Sequence, residues 1–444
     1  MSGPAHNILG SLPVPKLVWT MSAPIMLSML MSAIYNLVDS IYVAQVSELD
    51  FLALSYAYPV QLMMVAFCAG TGVGFNALFA QRLGAGQKEE ANRVACHGFL
   101  FYGLCWLLFL AFALLGAPLF FRLSTDNAAV AAAGTSYLVI CCGLSIGMCM
   151  QFLTERLLQT TGHPAGFMIV QGSGAILNII LDPVFIFGLD MGVVGAAAAT
   201  VIGQISGACI GFFLLWRIRG EFSVSFRGFR PDRALSAELL RIAAPAVVMQ
   251  SLSSFMSLGL NQLLTRWSES AVFVLGAYFK LQTFIFMPIF GISSGLIPIL
   301  SYNYGSGALR RVSASVRFGQ QFTAVLSLSG ALLLSLLASP LLRSAFRASP
   351  EALAMGAPAL RIIALSFFFA GTSIIFCSAF QSLGRSRWSL LVALLRQILL
   401  LLPAAALLLA LKPALVWAAF PLSELISCFA AALLYRRTIQ KQLL

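Results

Sequence analysis

Two aspartates stand inside long apolar runs, each with polar company at helical spacing. SAIYNLVDSIYV puts Tyr35 and Asn36 one turn from Asp39, and LNIILDPVFIFG puts Asn178 one turn from Asp182. Pro183 removes the helical donor of the carbonyl at residue 179, so the second acid sits beside an expected kink. The next run, VVGAAAATVIGQ, contributes Thr200. Carboxylates, amides and hydroxyls gathered in apolar surroundings can hold a dehydrated Na⁺ through oxygen ligands. Burial and like charge can instead raise one carboxylate until it exchanges a proton near neutral pH. Either is cation coupling; the plainer alternative is hydrogen-bonded helix glue.

A charge inside a membrane span costs about 2.5–3.5 kcal/mol on insertion scales, which marks three further positions. Lys280 in AYFKLQTF and Arg396 in LLRQILL are expected to face a central cleft, with snorkelling to the surface as the alternative. Glu155, beside Arg156 in FLTERLLQTTGHP, is either a gate contact or an interfacial ion pair. Catalysis is poorly served. No DDxxD pair appears, His6, His97 and His163 lie near polar ends, and the nine cysteines show no CxxC spacing for zinc or redox work.

The elements that must position these residues are membrane helices. The chain is 60% hydrophobic and 9% charged, against roughly 25% charged in a soluble domain. A bilayer admits only helices or closed barrels, and a helix needs about 20 apolar residues to cross it. Twelve such segments fall at 17–44, 52–80, 94–120, 129–158, 165–188, 192–216, 237–265, 271–301, 314–340, 352–381, 388–411 and 413–435. An even count puts both termini on one side. With that side cytoplasmic, 18 of the 27 Lys and Arg lie inside and 5 outside. Topology thus accounts for the net charge of +12 without nucleic acid. The polar, Pro-broken N-terminus lacks a signal-peptide pattern, so the first helix is expected to stay as an anchor.

The gap RIRGEFSVSFRGFRPDR reads as a linker, dividing an N-lobe (1–216) from a C-lobe (237–444) through residues 217–236. A shift of 221 residues places Pro24 on Pro245, Gln61 on Gln282, Gly74 on Gly295 and Gly84 on Gly305, and a shift of 222 places Gln159 on Gln381. Six helices per repeat make the second half enter from the same side, a parallel repeat around an axis along the membrane normal. The fold class is therefore an all-α membrane protein of twelve transmembrane helices in two pseudo-symmetric six-helix bundles. At 1.5 Å per residue, Asp182 and Thr200 lie roughly 12 and 15 Å below the turn near Asp190, and Asp39 roughly 10 Å below the outer end of its helix. Their repeat partners include Leu260 for Asp39 and Ala404 for Asp182, so the acids belong to one bundle only.

YNLVDSIYV, GVGFNALFAQRLGAG, ERLLQTTGHP, NIILDPVFIFGLDMGVVGAAAAT and YFKLQTFIFMPIFG with YNYG together resemble the bacterial MATE family, multidrug and toxic compound extrusion, over nearly the whole chain. The resemblance implies a V-shaped pair of six-helix lobes that exports cationic or amphipathic drugs in exchange for Na⁺ or H⁺. Asn178, Asp182 and Thr200, joined by Asp39, match the family's N-lobe cation-binding residues, and Tyr35 and Tyr137 match tyrosines lining that lobe. Gln61 and Gln282 join Tyr137, Lys280, Arg396 and Glu155 as expected cavity or gating residues. One departure matters. Some members use acids in helices 7 and 10, whereas here helix 7 offers Gln250, Asn261 and Gln262 and helix 10 has no interior acid, so coupling is expected through the N-lobe. The implied setting is a monomer in the bacterial inner membrane, with no cofactor, no metal beyond Na⁺ and small-molecule partners. A lipid-linked oligosaccharide flippase and, from another class, an intramembrane transferase are the competing readings.

Overall fold

The structure is a computed structural model that describes residues 8–46, 48–219, 224–346 and 348–440, without the side chains of 35–41, 43–46, 48–52, 345, 439 and 440. Tyr35, Asn36 and Asp39 thus have a place on a helical backbone, but their side chains lie outside the described residues.

Every regular element among the described residues is helical. The spans are α1 (Val14–Val46), α2 (Glu48–Gly84), α3 (Lys88–Ser124), α4 (Ala128–Gly143 with Ile146–Thr160), α5 (Pro164–Gly188) and α6 (Gly192–Arg217). After the linker come α7 (Arg233–Thr265), α8 (Glu269–Gly305), α9 (Leu309–Ser344), α10 (Pro350–Ala364 with Phe367–Ser382), α11 (Ser386–Leu411) and α12 (Pro413–Thr438). Among the described residues ten spans are single helices and two are bent pairs, twelve in all. Each expected segment lies within its helix, which extends beyond the segment at one end or both. The expected third segment opens at residue 94, but α3 already begins at Lys88, because Glu89 and Glu90 in its first turn complement the helix dipole.

Hydropathy gave no sign of the bends in α4 and α10, of 42° and 43°. Both are made the same way. At α4 the Ser145 hydroxyl donates to the Cys142 carbonyl at 2.7 Å, and at α10 the Ser366 hydroxyl donates to the Ile363 carbonyl at 2.6 Å. A buried serine that bonds back to the carbonyl three residues earlier competes with the helical ladder and bends it. Ser145 and Ser366 are 221 residues apart, so the bend repeats with the halves.

The halves meet where α2 packs on α7 and α8 and where α1 packs on α8. At the end of the bundle where α2 and α8 finish, a Cβ on Gly84 would overlap the Tyr302 carbonyl, and one on Gly305 would overlap the Gln81 carbonyl. These two contacts are images of each other under the 221-residue shift. The cores also interleave. Leu17, Val18 and Met21 of α1 are buried with Ile292, Leu296 and Phe380 of the second half, while Leu235 and Leu239 of α7 join the core of the first. Each half's first helix therefore starts in the other half's core, where burial contributes about 25 cal/mol per Å² of apolar surface.

The described part of the linker is strapped to α3. Asn92 and Ser225 exchange two hydrogen bonds at 2.8 Å, and the Asp232 amide donates to His97 Nε2 at 2.9 Å. The Asp232 carboxylate caps α7 by accepting from the Ala234 and Leu235 amides, which holds it below the ordinary aspartate range.

Candidate functional site

The polar site of the first half begins with two glycines. Where α5 crosses α6, a Cβ on Gly174 would stand 2.9 Å from the Gly203 carbonyl oxygen, and one on Gly203 would stand 2.7 Å from that of Gly174. Only glycines let the backbones approach so closely. One turn further along α5, Asn178 donates through Nδ2 to Asp182 Oδ1 at 3.2 Å and to Thr200 Oγ1 at 3.4 Å. Asp182 is 0% exposed and Asn178 3%. Pro183 ends the regular helix, and a π turn, Val184–Gly188, follows.

Helix α1 runs parallel beside α5. Gln171 Nε2 donates to Ser32 Oγ at 2.7 Å, fixing their relative height. Asp39 stands seven residues beyond Ser32 and Asn178 seven beyond Gln171, so the backbone carries both to one level. The donor set is hard oxygen. Asn178 Oδ1 is buried and accepts no hydrogen bond among the described residues, which leaves it open to a cation or a proton donor. Amide, carboxylate and hydroxyl oxygens suit Na⁺. Among the described residues no group of three or more His, Cys, Asp or Glu side chains is placed to hold a metal ion.

The remaining expected residues scatter. Tyr137 is 1% exposed and its hydroxyl accepts from Gln61 Nε2 at 2.5 Å, tying α4 to α2. Lys280 is exposed on α8, and Gln282 is half-buried there. Two expectations need correction. Arg396 is no free charge facing a cleft: its Nε and Nη2 grip the Glu424 carboxylate, the shortest contact being 2.8 Å, with the side chains 12% and 13% exposed. The α11–α12 hairpin brings the acid alongside, and a guanidinium at that depth is far less costly paired than alone. Glu155 and Arg156 are 3% and 7% exposed and, among the described residues, form no ion pair with each other. Gln151 Nε2 donates to Glu155 at 3.1 Å, and Arg156 turns to Gln159 at 3.0 Å because α4 is packed between α2 and α6.

Glu424 itself escaped the sequence reading, although an acid amid LSELISC carries the same signal as Asp182. The bonds between the halves escaped it too, since nothing in local spacing shows them. Gln159, held by Arg156 and by Asn76 at 3.0 Å, donates to the Ser294 carbonyl of α8 at 2.8 Å. Gln81 donates to the Ser382 carbonyl at 2.6 Å, and Arg82 pairs with Glu238 at 3.0 Å. The Gln81 and Arg82 bonds lie at the end of the bundle where Gly84 and Gly305 touch the opposite half, and the Gln159–Ser294 bond lies about three turns further along α8.

The MatE family model matches the chain twice, at residues 24–184 and 245–407. The chain is 26% identical to the FAD transporter of Shewanella oneidensis over 411 residues, covering 90% of this chain and 89% of the relative. It is 25% identical to the multidrug export protein MepA of Staphylococcus aureus over 402 residues, covering 88% and 86%. Its fold is similar to an outward-facing multidrug resistance MATE family transporter of the MOP superfamily, with TM-score 0.92 and 22% identity over 99% of both chains. A MOP superfamily transporter from Pyrococcus furiosus, described as having a binding pocket of reverse polarity, matches with TM-score 0.89 at 22% identity over 99% of both chains. With two family repeats on two halves of the same helical plan, the chain belongs to the MatE family and is a membrane transporter, not an enzyme.

Proposed function

We propose that this transporter exports cationic or amphipathic small molecules in exchange for inward Na⁺ or H⁺, with the coupling ion held at Asp182, Asn178, Thr200 and Asp39. The observation that carries the reading is the Asn178–Asp182–Thr200 group in one half, with Asn178 and Asp182 buried and, among the described residues, an amide oxygen left open to an ion. Cation occupancy there changes the charge buried in that half. Such a change can bias which end of the bundle is closed. The lobes are residues 1–216 and 237–444, both termini are cytoplasmic, and the closed end is the inner one. Lys280, Gln282, Gln61 and Tyr137 belong to the substrate path in this reading, while Glu155 and Arg396 act from inside their lobes.

A second substrate class has support of its own. One relative is named a FAD transporter, and an exposed Lys280 suits an anionic dinucleotide as well as it repels an organic cation. Everted vesicles given a Na⁺ or a pH gradient and loaded in parallel with ethidium and with FAD separate the two. Asp39→Asn and Asp182→Asn are expected to insert normally and to lose gradient-driven flux at least tenfold. Full coupled flux in both variants refutes the coupling assignment, whichever substrate moves.

A further inference from the structure

The two halves cross their last two helices in different ways. In the first half Gly174 and Gly203 bring the backbones of α5 and α6 together one turn below Asn178. Shifts of 222 and 221 residues carry these glycines onto Arg396 of α11 and Glu424 of α12, the buried pair described above. The N-half oxygens have no counterpart there, because Asn178 and Asp182 fall on Leu400 and Ala404. The titratable groups facing the pair are the Tyr278 hydroxyl of α8 and the thiols of Cys377 on α10 and Cys428 on α12. None of these types is charged at neutral pH without a perturbation that favours the anion. Arg396 lies in a π turn, Leu395–Leu399, an irregularity that recurs at functional positions.

We propose that Arg396 is the resident cation of the C-terminal half: its guanidinium occupies Glu424 throughout the cycle and masks a latent monovalent-cation site. An acid buried at a helix crossing with no cation beside it must either protonate or collect one. A guanidinium removes that need with a charge that neither dissociates nor deprotonates. The C-terminal half thus takes no ion from solution, and the exchangeable charge resides in the N-terminal half. The proposal rests on the function proposed above only for that last assignment.

Cations bound per chain can be counted on the purified protein, by equilibrium dialysis with radioactive Na⁺ and by potentiometric proton uptake. Arg396→Met is expected to gain one cation per chain, Na⁺ at alkaline pH or a proton as pH falls. The gain should persist in an Asp182→Asn background and vanish in Arg396→Met/Glu424→Gln. A folded Arg396→Met with the wild-type count overturns the proposal. If Arg396→Met does not fold, the charge-neutral double variant decides through its reversal potential in vesicles. A wild-type ratio of cations to substrate supports the resident cation, and a ratio lower by one overturns it. The Asp182→Asn background keeps the two readings apart: were the N-half assignment wrong, that change would leave the count intact while Arg396→Met still added one.

Discussion

Asn178 is the hinge of the N-half site, because one amide nitrogen serves two oxygens and its own oxygen accepts from no donor among the described residues. A buried acceptor in that state costs about 1–3 kcal/mol, and hydrogen bonds to charged groups are worth about 1.5–3 kcal/mol. Replacing the side chain should therefore weaken ion binding more than folding. Asn178→Ala is expected to raise the half-saturating Na⁺ or H⁺ concentration of transport about 10- to 100-fold, with flux recovered at saturating ion. An unchanged ion dependence would make Asn178 a spacer. Arg396 and Glu424 obey a different economy: each is tolerable at its depth because the other is there.

At the scale of elements, the site depends on how closely α5 and α6 cross. A methyl group at Gly203 would meet the Gly174 carbonyl at 2.7 Å, a distance that real Cβ contacts do not adopt. Gly203→Ala must spread the helices, at about 1–3 kcal/mol for overpacking, and carry Thr200 away from Asn178. Ion-coupled flux is expected to fall at least tenfold while membrane insertion is kept. Gly103→Ala is the control, since a methyl group there meets nothing within 4 Å, and it should transport as wild type. Equal activity in the two variants would mean that the crossing is not what holds the site. The paired bends at Ser145 and Ser366 belong to the same scale, and each rests on one hydroxyl.

For the whole molecule, the decisive contact is at the end of the bundle where Gly84 and Gly305 meet the opposite backbones. A bulkier residue at Gly84 cannot be accommodated by a side-chain shift, because the Tyr302 backbone stands in the way. Gly84→Val is expected to disfavour closure at this end by about 1–3 kcal/mol, a population shift of about 5- to 150-fold. Distances between spin labels at the ends of α2 and α8 report it as a longer, broader distribution. A distribution like that of the wild type would show that the contact does not set the conformational balance.

The sequence by itself determined the helices and their repetition, because lipid demands long apolar runs and a duplicated chain keeps its glycines in register. It also put Asn178 and Asp182 on one helical face, since i and i+4 are neighbours on any helix. Tertiary structure decided the rest. Thr200 reaches Asn178 only because two glycines lie at one crossing, Arg396 is neutralised only because α12 folds back along α11, and Glu155 is buried only because α4 is enclosed. Those outcomes depend on which faces of distant helices meet, and the period of a single helix carries no record of its neighbour's distance.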